Sequence, residues 1–259
     1  MVASFYPVYA AAQRVGGENA SVANLTPAGA EPHDLELSSR QVDRIEDAAL
    51  VFYLGQGFQP GVEKAVERAG GQVVDLLTTV PNPIEGDPHF WLDPTLFKRA
   101  VERIRAAYQE VDGAHAQQYA DRAAAYIGEL DQLDAAYREG LRTCERRVIV
   151  TSHAAFGYLA RQYGLTQKAV SGLSPESEPE PGQLSALARE VRAEGVTTIF
   201  SETLVSPRVA ETLAREAGVG TAVLNPLEGL TDEEEGAGKT YVSIMRENLA
   251  ALRAALDCR

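Results

Sequence analysis

The sequence predicts an α/β protein of two lobes, each with a mostly parallel sheet, bridged by one long rigid helix. Short apolar runs alternate with helical patterns twice over, as expected of two α/β units. Between them, residues 114–141 read AHAQQYADRAAAYIGELDQLDAAYREGL without a proline. In that stretch Tyr119, Ala123, Tyr126, Leu130, Leu133, Tyr137 and Leu141 recur at steps of three or four, an apolar stripe on the helical period. At 1.5 Å per residue the helix is roughly 40 Å long. The expected division is an N-terminal α/β lobe over 1–113, a linking helix over 114–142 and a C-terminal α/β lobe over 143–259. Function is then expected in the cleft between lobes. Periodicity alone also allows a long helix packed within one domain.

Residues 2–6 and 21–25 read as strands, followed by the loop TPAGAEPHDLEL. Ser38 or Ser39 caps the short amphipathic helix RQVDRIEDA. ALVFYLG is a continuous apolar run of strand length, as in a buried parallel strand. GVEKAVERAGG is a helix closed by glycine, VVDLL a strand, and PNPIEGDPHFWLDP a loop leading into the helix TLFKRAVERIRAAYQEV. After residue 142 the alternation resumes. RVIVT, QKAVSGL, TTIFS and TAVL read as strands; AAFGYLARQYG, QLSALAREVRAEG and SPRVAETLAREAG read as helices. Ser206 and Pro207 stand at the start of the last of these, where a cap and an N1 proline belong. SPESEPEPG is a polar proline-rich loop, the acidic run 232–235 a solvated loop, and KTYVSIMRENLAALRAAL a C-terminal helix.

A chain of 259 residues, 45% hydrophobic, can bury the cores of two ordinary domains. Its 24 Lys and Arg against 37 Asp and Glu give a net charge of −13, which repels nucleic acid and anionic membrane and excludes both as partners. No run approaches the length of a transmembrane helix. MVASFYPVYA has neither a charged leader nor an apolar signal core, so a leader removed ahead of Met1 is expected. Cys144 and Cys258 are an even pair without CxxC spacing. A disulfide between them would close a loop of more than 100 residues and indicate an extracytoplasmic compartment. The alternative is two unrelated thiols.

Three of the four histidines share one context. His33 follows the strand at 21–25, His153 directly follows the strand at 147–151, and His89 lies in the loop ahead of a helix. Ligands of open α/β sheets bind beyond the carboxyl ends of strands. Three imidazoles meeting there suit Zn(II), which takes His nitrogen at about 2.0–2.1 Å. Gaps of 56 and 64 residues match no compact zinc motif, so by spacing alone each His is equally a hydrogen-bonded structural residue. His115, among Ala and Gln near the start of the long helix, reads as exposed.

GAEPHDLEL, GDPHFWLDP and VTSHAAFGYLARQYGL, in this order around a central long helix, resemble the metal-binding solute-binding proteins of ABC importers, the cluster A-I family. The resemblance runs from ASFYP to YVSIMRENLAALRAAL. It implies His33, His89 and His153 as metal ligands, two α/β lobes bridged by a rigid helix, and Zn(II) as the transported ligand. It also implies a monomer outside the cytoplasm, periplasmic or lipid-anchored at the cell surface, serving a cognate ABC membrane permease. His at the third position points to zinc, where manganese-type relatives carry Glu; imidazole suits zinc and carboxylate suits manganese. Where relatives often supply an Asp as fourth ligand, AVLNPLEGL places Asn225, a poorer donor. The fourth position is thus weakly bound Asn225, water or Glu202, with Glu202 preferred as the acceptor for a ligand imidazole's free N–H. The loop PNPIEGDPH also lacks the His-rich insertion of many zinc-specific relatives. Glu31, Asp34, Asp87 and Asp93 flank the first two histidines and are expected to cap helices or orient rings, and Phe90 and Trp91 to wall the site or fill the core.

The expected function is a non-enzymatic binding protein that captures Zn(II) and delivers it to a permease. The alternatives are a zinc-dependent hydrolase using an open three-His site, a Mn(II)-type binding protein and an adhesin. No HExxH motif supports the hydrolase and no adhesive module supports the adhesin.

Overall fold

The computed structural model describes residues 1–175 and 181–259; residues 176–180 of the proline-rich loop lie outside the described residues. Two units emerge. The first comprises Met1–Pro83, Pro94–Gln132 and Leu227–Tyr241, the second Ile84–Asp93, Leu133–Pro226 and Val242–Arg259. These units are discontinuous in sequence, where the expected division at 113 and 142 is contiguous. Local periodicity identifies elements without identifying what each segment packs on. Ile84–Asp93 belongs with the later unit because the Tyr158 hydroxyl accepts from the Ile84 N–H and donates to the Asp87 carbonyl. Leu227–Tyr241 belongs with the earlier one, where the Gly29 N–H donates to the Leu230 carbonyl and Tyr241 lies 4.6 Å from Phe97.

In the first unit β1 (Val2–Ala3), β2 (Ala23–Asn24), β3 (Leu50–Tyr53) and β4 (Gln72–Asp75) form a wholly parallel sheet of order β2-β1-β3-β4. Alternation along β3 sends its side chains to opposite faces. Val51 joins Ile45 of α2 (Ser39–Glu46) and Val62, Ala65 and Val66 of α3 (Pro60–Val66). Phe52 meets Tyr108 of α4 (Pro94–Val111), whose hydroxyl donates to the Ala12 carbonyl of α1 (Tyr6–Gly16). Ser38 and Gln41 close a capping box on α2, settling the cap on the first of the two serines. The run 2–6, expected as one strand, divides: β1 ends at Ala3 and Pro7 stands in the first turn of α1.

α5 (Ala116–Gly140) is a helix of 25 residues entered through a 3-10 turn, Gly113–His115. All seven residues of its apolar stripe are buried. Its residues through Gln132 belong to the first unit and those from Leu133 to the second, so it is not confined to one domain. Tyr119 stacks on Tyr108 at 5.0 Å, and Tyr137 on Tyr163 at 5.0 Å, with its hydroxyl donating to the Met245 carbonyl.

These phenols titrate late. Burial pushes Tyr6 and Tyr119 up to about 12 and drives Tyr108, Tyr126, Tyr137 and Tyr163 higher. A folded-state pKa above the free phenol's value of about 10 contributes stability that is fully present below pH 10 and is lost as pH rises through the folded value. In an alkaline titration, tyrosinate absorbance of these six should appear together with the loss of far-UV circular dichroism. Most of the ten tyrosines ionising near pH 10 with the dichroism intact would contradict it.

The second unit holds β5 (Val148–Thr151), β6 (Thr166–Ala169), β7 (Thr198–Ser201) and β8 (Gly220–Val223), all parallel, in the order β6-β5-β7-β8. α7 (Pro181–Ala193) and α8 (Arg208–Ala217) cover one face, packing Ala188, Val191, Leu213 and Ala214 on Val150 and Ile199. α6 (Gly157–Tyr163) follows β5 and stops at Gly164 in the left-handed region. The acidic run is a correction: α9 (Asp232–Gly236) is helical, not a loop, because Thr231 and Glu234 form a capping box at its start. α10 (Tyr241–Leu256) leads to Cys258, which is disulfide-bonded to Cys144 across a separation of 114 residues.

Candidate metal centre

In the second unit β5 and β7 are neighbours, while the chain passes out to β6 between them. Such a reversal of winding opens a crevice at the carboxyl ends of the two strands. His153 lies two residues beyond β5 and Glu202 immediately beyond β7, and both are buried. Glu202 Oε1 accepts the His153 backbone N–H at 3.0 Å, and Oε2 lies 2.7 Å from Nδ1 of the ring. The His153 carbonyl accepts from the Thr151 hydroxyl and from Gln167, which fixes the turn that carries the histidine.

His89 reaches the same unit on the loop ahead of the 3-10 turn Phe90–Leu92. Asp87 Oδ1 accepts the His89 backbone N–H at 2.9 Å and lies 2.7 Å from its Nδ1. Trp91 packs 5.1 Å from the His89 ring and donates its indole N–H to the Pro226 carbonyl. Phe90 and Trp91 are thus both buried, and Trp91 walls the imidazole. The His89 and His153 rings meet edge to face with centroids 5.3 Å apart.

In the first unit His33 stands in the loop after β2, its backbone N–H donating to Glu31 Oε1 at 3.2 Å and its ring against Phe58 at 4.7 Å. Its Nε2 lies 3.1 Å from Oε1 of Glu228, a carboxylate whose side chain is 1% exposed. Leu227 turns the chain at a φ of 58°, and the Gly29–Leu230 bond ties this turn to the His33 loop. Donors held on zinc at about 2.1 Å lie about 3.4 Å apart in a tetrahedron, close to the spacing of His33 and Glu228. Asp34 is exposed and Asp93 is buried.

Among the described residues, His33, His89, His153 and Glu228 each offer one ligand atom, and these atoms lie within 4.8 Å of one another. Glu228 is the member that sequence reasoning missed. Glu202 is outside the set, and its two oxygens meet the His153 backbone N–H and Nδ1. Asn225 has its backbone N–H and carbonyl both bonded to the Asn248 side chain. His115, 43% exposed at its side chain, pairs with Asp112 instead.

The profile of a family described as "Zinc-uptake complex component A periplasmic", ZnuA, matches residues 1–255. The chain belongs to this ZnuA family. Two relatives in the family illustrate the range. The zinc-binding lipoprotein AdcA of Streptococcus pneumoniae strain R6 is 37% identical over 278 residues, covering 99% of this chain and 56% of the relative. The high-affinity zinc uptake system protein ZnuA of Bacillus subtilis strain 168 is 34% identical, covering 99% and 87%. The chain therefore spans about half the length of AdcA. The crystal structure of the Zn(II)-bound ZnuA-like domain of S. pneumoniae AdcA superposes with a TM-score of 0.88 at 39% identity, covering 99% of this chain and 98% of that one. The family description names a component of a zinc-uptake complex, a binding role rather than that of the zinc-dependent hydrolase. Among the described residues, no helix is long and apolar enough to cross a membrane.

Proposed function

We propose that this chain captures one Zn(II) ion outside the cytoplasm through His33, His89, His153 and Glu228 and delivers it to the membrane permease of an ABC importer. The observation that carries this reading is the donor set itself: three imidazoles and one buried carboxylate whose ligand atoms lie within 4.8 Å of one another. Three nitrogens and one oxygen fill a tetrahedral shell with borderline-soft donors, the preference of zinc, whereas manganese favours carboxylate-rich sites. Glu228 takes the fourth position because the rival donors are poorer. Asn225 offers a neutral amide, and both oxygens of Glu202 already serve His153. The periplasmic description of the family, the lipoprotein relatives and the Cys144–Cys258 disulfide support a place outside the cytoplasm. Elemental analysis joined to a competition titration tests the reading. The expected result is close to one zinc per chain, with Zn(II) held in preference to Mn(II). A protein that retains no zinc, or prefers manganese, would overturn it.

A further inference from the structure

Asn248 is buried in the interior of α10, a place where asparagine is a poor helix former. Its carboxamide uses both ends on a single residue. Oδ1 accepts the Asn225 backbone N–H at 2.9 Å, and Nδ2 donates to the Asn225 carbonyl at 2.7 Å. We propose that Asn248 is a positioning residue that holds the turn after β8 and, through that turn, aims the Glu228 carboxylate at the metal. This deepens the zinc reading above and rests on its fourth ligand.

The clamp acts where the sheet ends. β8 stands at the edge of its sheet beside β7, and the Leu224 N–H, donating to the Ser201 carbonyl, continues the ladder one residue further. Asn225 comes next and is buried, so its backbone N–H and carbonyl need partners away from water. A carboxamide carries a donor and an acceptor on one plane and serves both, as a neighbouring strand would. Pro226 brings no N–H and keeps Asn225 extended, and its carbonyl accepts from the Trp91 indole at 2.8 Å. Leu227 then takes a φ of 58°, a left-handed conformation that a bulky side chain keeps only where its surroundings enforce it. Beyond it the Leu230 carbonyl accepts from the Gly29 N–H. The chain is thus tied ahead of the strained residue and after it, and Glu228 follows that residue directly. Losing the two carboxamide bonds would let Leu227 return to a negative φ and swing Glu228 from its place.

Asn248→Leu, which removes both bonds at similar size, and Asn248→Asp, which keeps only the acceptor, test the proposal. Zinc affinity should fall roughly 10–100-fold in each, the range for losing a group that orients a ligand. In a Glu228→Gln background the same substitutions should cost no more than about threefold, because a residue that acts through Glu228 has nothing left to aim. The metal-free protein gives a second reading. The Asn225 amide should exchange with solvent faster, and Trp91, the single tryptophan of the chain, should emit at longer wavelength as its bond to Pro226 loosens. Losses that simply add in the double variants, wild-type affinity in both single variants, or unchanged Asn225 exchange would overturn the positioning role and leave Glu228 a ligand. Wild-type affinity in Glu228→Gln would instead overturn the fourth-ligand reading, and the proposal with it.

Discussion

His153→Ala is expected to weaken zinc binding by about two to three orders of magnitude. Structural zinc sites of four ligands bind with about 10–16 kcal/mol, so one ligand carries about 2.5–4 kcal/mol, and each 1.4 kcal/mol is tenfold in affinity. The variant also leaves the Glu202 carboxylate buried without its imidazole, a further cost to stability of about 1–3 kcal/mol. Competition with a chromophoric chelator separates the two effects, because the affinity is read on protein that is still folded. Glu228→Gln should weaken binding in the same direction, since it removes the charged donor beside His33. Affinity within threefold of wild type in His153→Ala would remove that residue from the ligand set.

The double variant Cys144→Ser, Cys258→Ser should lose about 4–5 kcal/mol of unfolding free energy in the chain-entropy account, given a cross-link spanning 114 residues. The bond fastens the segment after α10 to the segment after α5, where the two cysteines also pair as an isolated antiparallel bridge. Urea unfolding of the metal-free protein measures the loss as a lower midpoint with a steeper slope, because the denatured chain without the cross-link exposes more surface. A midpoint insensitive to reductant and to the double substitution would show that the cross-link adds nothing. Zinc should raise the midpoint of both forms, because the ligand set lies away from the cysteines in sequence and binding to the native state alone shifts the equilibrium.

Most elements were legible because their patterns are local. The stripe from Tyr119 to Leu141 predicts α5, and all of it is buried. The run around Val51 predicts a buried parallel strand and the run around Ile149 a strand, and both occupy interior places in their sheets. α1 was missed although its signals were present: Pro7 in the first turn and Val8, Ala11, Ala12 and Val15 on one buried face. Thr231 and Glu234 likewise spell a capping box, which the surrounding run of acids obscured. The site was legible as far as its histidines. Glu228 was not, because it sits three residues past Asn225, beyond Pro226 and a Leu227 at positive φ, and no pattern of spacing reports where such a turn aims a side chain. Asp87 and Glu202 could be suspected from their neighbours, but the double grip on ring and backbone exists only in three dimensions.

The chain changes unit at 83/84, 93/94, 132/133, 226/227 and 241/242. Neither half is therefore an inheritable piece that can be cut out at a single point and expressed alone. A fragment ending near residue 113 would lack Leu227–Tyr241 and with it Glu228, and its complement would lack Ile84–Asp93 and with it His89. Gene fusions and split-protein reporters built on this scaffold should accordingly place their junctions in surface loops within a unit, and deletions near the middle of the sequence should disable both halves at once.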